Sequence, residues 1–342
     1  MKKFLFWFIA LSLIAGFTSC KTKLEKKDQS QEEMQEDNGN KENYIPVISS
    51  ADATPVYKKI NDTTEMHLNI YYPENHHKGD NKACIIYFFA GSFINGSPSQ
   101  FEEHCKYLCS RGMVAISADY RVMSRNKGNA LNCIYDAKSA IRFVRENAKE
   151  YGVDPDKIVL AGGSAGGMLA IECAINDPKW QDPSDNSGTS CMPNALVLIN
   201  PVVNSEEFPF RIRKFKDNDE TPDSLSHAAE INPIKHISSG MPPAIMFHGT
   251  MDKMSAYHFA KQFADDYTAA GNKIDLHSYP RQKHGFTAIK NANGKFYRDT
   301  LRLTDEFLIS LGYLSGTPTI PKEDLNIQPA KKKNPDQKKK KE

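Results

Sequence analysis

Unbroken apolar runs alternate along this chain with segments whose apolar positions recur every three or four residues. Ala83-Cys-Ile-Ile-Tyr-Phe-Phe89, Met113-Val-Ala-Ile-Ser117, Ala195-Leu-Val-Leu-Ile199 and Ala244-Ile-Met-Phe-His248 are of the first kind. Such runs suit strands covered on both faces, as in a parallel sheet. Between them, Ile134, Ala137, Ile141, Val144 and Ala148 predict a helix over 130–150, with Lys138, Arg142, Arg145 and Glu146 elsewhere on its wheel. Further helices are predicted at 98–111, 255–270 and 296–311, and a strand at Lys273–Tyr279. Val56–Ile60 and Met66–Tyr72 alternate partially and read as an opening strand pair at a sheet edge. Strands alternating with helices predict one mostly parallel, doubly wound sheet flanked by helices. Residues 204–240 are polar and irregular, as expected for a small insertion over the strand ends. The polar loop Pro73–Asn81 carries His76 and His77, both expected in solvent.

The first fifty residues follow a different pattern. Met1-Lys-Lys precedes an apolar stretch, Phe4–Phe17, that is short for a bilayer span. Thr18-Ser19-Cys20 then sets a cysteine after small residues, and this stretch resembles a bacterial lipoprotein lipobox. The resemblance implies a signal peptide at 1–19, lipid on Cys20, export, and attachment to a membrane on its periplasmic or cell-surface face. Residues 20–43 are polar and charged and cannot form a core, which predicts a flexible tether. The folded domain is expected over 44–316, followed by a solvated Lys-rich tail at 317–342.

Charge narrows the function classes. The formal net charge is +2, but the last twelve residues hold seven Lys against Asp336 and Glu342. That tail is +5, so the remainder is −3 and has no electrostatic footprint for nucleic acid. Export permits disulfides, yet the six cysteines beyond Cys20 show no assignable pairing. Cys84 and Cys173 fall in apolar patterns and read as small core residues. Cys105 and Cys109 are four apart on a predicted helix, and no histidine or carboxylate spacing completes a zinc site with them. No metal or organic cofactor is expected.

Gly162-Gly-Ser164-Ala-Gly166-Gly167 joins the apolar run Lys157–Ala161 to a small-residue helix, Met168–Ala174. This is the pattern of a nucleophile elbow, which puts a serine at a strained strand-to-helix turn with the helix N-terminus behind it. A serine hydroxyl needs an imidazole to take its proton and a carboxylate to orient that imidazole. Asp252 follows the strand ending at His248, and His284 follows the next strand, so the order is Ser, acid, His. Capping of the helix near Ser255 is the competing reading of Asp252. His248, His258 and His277 lie within elements and are weaker candidates for the base.

These stretches, with Asp119-Tyr-Arg121, the helix from Asp136 to Ile158 and Pro242–Asp252, resemble α/β-hydrolases of the carboxylesterase/lipase class. Within that class the chain is similar to bacterial acetyl and feruloyl carbohydrate esterases. The resemblance spans about residues 50–312. It implies the α/β-hydrolase fold and a serine hydrolase of carboxylic esters, with acetyl or feruloyl groups on polysaccharides as substrates. It further implies Ser164, His284 and Asp252 as the catalytic triad. An oxyanion hole from the N–H groups of Gly91, Ser92 and Ala165 completes the implied site. Two departures stand out. The family's His-Gly-Gly-Gly loop is here Phe89-Ala90-Gly91-Ser92, and Lys253-Met254-Ser255 replaces the usual residues after the acid, an expected change of pocket lining. Three alternatives remain open at this point: an exopeptidase or a lipase of the same fold, or a non-catalytic surface binding protein prompted by the Phe89-Ala90 change.

Overall fold

The elements that carry Ser164, Asp252 and His284 belong to an eight-stranded sheet in the computed structural model, which describes residues 51–185, 188–208 and 230–325. The chain divides into two units, 1–41 and 42–342, and every described residue belongs to the second. The expected signal peptide, Cys20, the tether, most of the 204–240 insertion and the Lys-rich end of the tail lie outside the described residues.

The strands are β1 (Val56–Asn61), β2 (Thr64–Tyr71), β3 (Lys82–Phe88), β4 (Val114–Ala118), β5 (Val153–Gly163), β6 (Ala195–Ile199), β7 (Ala244–Gly249) and β8 (Ile274–Tyr279). The helices are α1 (Glu102–Ser110), α2 (Met123–Asn126), α3 (Ala130–Glu146), α4 (Ala165–Ile175), α5 (Tyr257–Ala269) and α6 (Lys295–Ser310). Sheet order is β1-β2-β4-β3-β5-β6-β7-β8. β2 runs antiparallel to β1 and β4, and all other neighbours are parallel. The fully buried faces of β4 and β6 explain their unbroken apolar sequences, since helices cover the sheet on both sides.

α3 is shorter than its pattern predicts. It starts at a capping box between Asn129 and Asn132 and ends at Glu146, short of the predicted 150. Its polar residues divide: Lys138 and Arg142 are buried, while Arg145 is half-buried and Glu146 exposed. The 177–193 loop folds over the buried pair. Lys138 Nζ donates to the carbonyls of Trp180 (2.8 Å) and Asp177 (3.2 Å), and Arg142 donates to the Thr189 carbonyl (2.8 Å) and pairs with Asp185 (2.8 Å). Long cationic side chains reaching out from α3 satisfy the loop's carbonyls here.

His76 also departs from expectation. It is fully buried, stacks on Tyr72 with ring centroids 4.7 Å apart, and its Nε2 lies 2.9 Å from the Tyr151 carbonyl. The hydrogen bond and the ring partner make burial of a loop histidine tolerable. Among the described residues the six cysteines are free, no group of three or more His, Cys, Asp or Glu could hold a metal, and no helix is long and apolar enough to cross a membrane.

Candidate active site

Parallel strands carry their connections to one end of the sheet, and the candidate residues gather there because five adjacent strands end side by side. Phe88 pairs with Gly162, Gly163 with Ile199, Ile199 with Phe247, and Gly249 with Tyr279. The loop after β3, Ser164 after β5, Asn200 after β6, Asp252 after β7 and His284 after β8 therefore share one rim.

Ser164 is at the turn between β5 and α4 with φ 52° and ψ −115°. A side chain in this region costs on the order of 1–3 kcal/mol and persists only when its surroundings enforce it. Here the Ser164 N–H donates to Ile199 (2.9 Å), and its carbonyl accepts from Val202 (3.1 Å) and Met168 (3.2 Å). The turn also needs bare backbone. A Cβ on Gly166 would lie 2.1 Å from the Phe88 carbonyl oxygen, and one on Gly162 would lie 2.3 Å from Gly166. The glycines of the motif thus let α4 press against β3 and β5.

His284 Nε2 is 3.0 Å from Ser164 Oγ, and His284 Nδ1 is 2.7 Å from Asp252 Oδ2. Because the Asp252 oxygen is an acceptor, Nδ1 carries the proton and Nε2 turns its lone pair to the serine hydroxyl. That is the tautomer a general base requires. Ser164 is buried, while about a quarter of the His284 side chain stays exposed.

Asp252 is held by more than histidine. Asn200 Nδ2 donates to Oδ2 (2.8 Å), and the N–H groups of Met254 (2.8 Å) and Ser255 (3.1 Å) donate to Oδ1. His248 Nε2 lies 2.8 Å from the Ser255 carbonyl and 3.3 Å from Asp252 Oδ2. Both neighbours are acceptors, so Nε2 carries its proton and shares it between them. Burial alone would raise the Asp252 carboxyl. The donors from His248, His284 and the Ser255 backbone outweigh it and hold the group well below the usual carboxylate range. Asp252 thus holds the turn at Met254 and Ser255 with one oxygen and His284 with the other, but it does not cap the helix, since α5 begins at Tyr257 with Ala256 at its N-cap and no side-chain cap.

The sequence offers His248 only as a weaker candidate for the base and does not single out Asn200. Each is a polar residue at or just past the end of an apolar strand, β7 and β6, which does not by itself reveal a partner across the sheet.

The loop after β3 departs from the family pattern in sequence, and its backbone is held by hydrogen bonds of its own. The Phe89 ring, where the family has histidine, stacks on Tyr120 at 4.0 Å, and the Tyr120 hydroxyl donates to the Phe89 carbonyl (2.7 Å). Gln100 Oε1 accepts the Ala90 N–H (2.5 Å), and the Gly91 carbonyl accepts from Ile94 (3.0 Å) and Asn95 (3.2 Å). Gly91 is at φ +156°, and a Cβ there would fall 1.7 Å from the Asn95 carbonyl oxygen. Among the described residues, the N–H groups of Gly91, Ser92 and Ala165 have no internal acceptor.

A cavity of about 370 Å³ opens on Ser164 and His284, lined on one side by Ala90, Phe101 and His104 and on the other by Ala288 and Ile289. Lys253, Met254 and Ser255 do not line it. They line a neighbouring cavity of about 310 Å³ with Phe208 and Phe259, because the chain turns away from the rim after Asp252. The expected change of pocket lining belongs to that second cavity.

The sheet order, the strained serine turn and its hydrogen-bonded histidine define an α/β-hydrolase. The chain belongs to the alpha/beta hydrolase fold family, whose model matches residues 85–288. It is 38% identical to Thermogutta terrifontis esterase 2, with a TM-score of 0.70 over 78% of this chain and 96% of that one. It is 27% identical over 237 residues to a protein named probable isoprenylcysteine alpha-carbonyl methylesterase from Arabidopsis thaliana, covering 65% of this chain and 49% of that protein. Esterase LipQ of Mycobacterium tuberculosis is 29% identical over 202 residues, covering 56% of this chain and 47% of the relative. The chain thus spans about half the length of these two relatives.

Proposed function

We propose that this protein is a carboxylic ester hydrolase acting through Ser164, His284 and Asp252. The observation that carries the reading is the hydrogen-bonded line Ser164–His284–Asp252 at the mouth of the 370 Å³ cavity. In this reading Ser164 Oγ attacks the ester carbonyl while His284 Nε2 takes its proton. His284 then protonates the departing alcohol, and Asp252 stabilises the imidazolium between the two steps. The N–H groups of Gly91, Ser92 and Ala165 take the oxyanion. Water admitted after the alcohol leaves resolves the acyl-enzyme by the same base.

The proposed acyl groups are acetyl and feruloyl. Thermogutta terrifontis esterase 2 has been solved bound to propionate and to butyrate, which supports the smaller of the two. Glycans carrying such esters are the proposed substrates. The signal-like Met1–Phe17 stretch and Thr18-Ser19-Cys20 support export and a lipid anchor on Cys20. Anchoring would put the domain at a membrane surface, and Cys20→Ser should move the protein from the membrane to the soluble fraction.

The test of activity is hydrolysis of p-nitrophenyl acetate and butyrate by the wild type and by Ser164→Ala. The wild type turns both over and the variant does not. Paraoxon, which phosphorylates Thermogutta terrifontis esterase 2, should add its diethylphosphoryl group to the Ser164 peptide. A folded wild type with no turnover of either ester sinks the proposal.

A further inference from the structure

In the loop after β3, Ser92 and Phe93 are consecutive non-glycine residues at φ 58° and 62°, backbone that side chains keep only where their surroundings enforce it. The downstream half of this loop is held by α2: the Met123 and Ser124 N–H groups donate to the carbonyls of Phe93 (3.0 Å) and Ile94 (2.9 Å). The upstream half begins at the peptide between Phe89 and Ala90, two residues whose side chains can make no hydrogen bond. Both polar ends of that peptide are taken by side chains from further along the chain. Its carbonyl accepts the Tyr120 hydroxyl (2.7 Å), and its N–H donates to Gln100 Oε1 (2.5 Å). Gln100 sits in the single 3-10 turn Pro98–Phe101, which is itself anchored twice. The Ser117 hydroxyl donates to the Pro98 carbonyl (2.6 Å), and the Phe101 ring stacks on Tyr87 with centroids 4.7 Å apart. Gln100 is exposed and lines the cavity that opens on Ser164. Water could accept the Ala90 N–H at such a place, so folding alone does not call for the glutamine. What water does not supply is a fixed direction.

Resting on the esterase reading above, we propose that Gln100 is a positioning residue for the oxyanion hole, acting through the Ala90 N–H. With the Phe89–Ala90 peptide clamped at both ends, the chain enters Gly91 in one orientation. The next two N–H groups, those of Gly91 and Ser92, inherit it and stay free for the oxyanion. Gln100 also occupies the Ala90 N–H, which removes that donor from competition for the substrate oxygen. Donors already aimed before the reaction need no reorganisation as the charge develops, which is where such groups gain their effect. Gln100 moves no proton and bears no charge. Its contribution is therefore to turnover and not to the titration of His284.

The experiment compares the full-length wild type with Gln100→Leu, which keeps the bulk and loses the acceptor, and with Gln100→Glu, which keeps an acceptor. On p-nitrophenyl butyrate in high salt, where the new charge of the Glu variant is screened, Gln100→Leu lowers kcat about tenfold, the order of one neutral hydrogen bond. KM stays within about twofold and Tm is unchanged, because the side chain is exposed. Gln100→Glu recovers most of the loss. A trifluoromethyl ketone, whose adduct with Ser164 carries the oxyanion, binds Gln100→Leu more weakly by the same factor, while inhibition by butyrate does not change. A kcat of Gln100→Leu within about twofold of wild type, or an equal loss in the Leu and Glu variants, overturns the proposal. If the wild type hydrolyses no ester, the esterase reading falls separately, and the clamp is read from amide hydrogen exchange. The Ala90 amide is then protected in the wild type and in Gln100→Glu and exchanges faster in Gln100→Leu. Equal exchange in all three proteins would overturn the role of Gln100.

Discussion

At the scale of single residues, the site is an arrangement around one carboxylate. Asp252 Oδ2 receives His284, Asn200 and a share of His248, while Oδ1 receives two backbone N–H groups. With every lone pair engaged, the carboxylate has one orientation, and His284 inherits it. Asn200→Ala removes one donor to a charged acceptor, an interaction worth about 1.5–3 kcal/mol. In the proposed esterase, kcat/KM on p-nitrophenyl butyrate should fall roughly 10- to 100-fold, with Tm lowered by several degrees because the lost bond is buried. A variant within about twofold of wild type would show that Asn200 does not position the acid. Gly166→Ala acts through sterics alone. Its Cβ would collide with the Phe88 carbonyl, so the strained turn around Ser164 cannot form and activity should be lost together with several degrees of Tm. The serine, acid and histidine could be read from sequence because each follows an apolar strand and carries recognisable chemistry. Asn200 could not, since its role depends on β6 lying between β5 and β7.

At the scale of elements, α3 and α4 show how polar groups survive in a core. Asp136 of α3 is fully buried and takes a bidentate contact from Arg121 (2.7 and 2.8 Å), the Arg121 N–H (2.9 Å) and Lys58 (3.3 Å). Removing one partner of such a buried pair leaves the other uncompensated, at a cost of about 3–5 kcal/mol. Asp136→Ala should therefore lower the unfolding free energy from urea titration by that order, and a loss below about 1 kcal/mol would contradict the burial argument. Glu172 of α4 is also buried. Burial raises its carboxyl to about 8, with Asp177 adding to the rise and Lys138 opposing it. Between the ordinary value of 4.5 and about 8, the folded protein holds a proton that the unfolded chain has released. Stability from this group is thus complete below about pH 4.5 and is lost as pH rises through about 8. Glu172→Gln should reduce the fall in Tm between pH 5 and pH 8 by on the order of 5 °C. Parallel Tm-against-pH curves for the two proteins would refute it.

At the scale of the whole molecule, the described cysteines contribute as small apolar residues. Cys84, Cys105, Cys133 and Cys173 are buried, and burial raises their thiols; Cys109, half-buried, is pushed up to about 12. Dithiothreitol should leave Tm unchanged. Iodoacetamide at pH 7.5 should label these five positions only after unfolding, as peptide mass spectrometry would show. Rapid native labelling would mean that the sheet's helical cover is looser than described.

The sequence by itself determined the class of fold and the order of its elements. Burial on both sheet faces writes itself as unbroken apolar runs, and helices write themselves as a periodic stripe. It also determined Ser164, Asp252 and His284 as candidates, because strand-end loops and residue chemistry are local properties. Only the tertiary structure decided the neighbours across the sheet. Pairing of β5 with β6 and of β6 with β7 brings Asn200 to Asp252, and the turn after β7 sends Lys253 and Met254 to a different cavity. The 177–193 loop buries Lys138 and Arg142, whose burial periodicity within the helix does not reveal. Packing of α1 against Tyr87 and Tyr297 likewise turns His104, one residue on a predicted helix, into a buried imidazole beside the candidate nucleophile. Each of these depends on contacts between residues far apart in the chain, and periodicity within a segment carries no record of them.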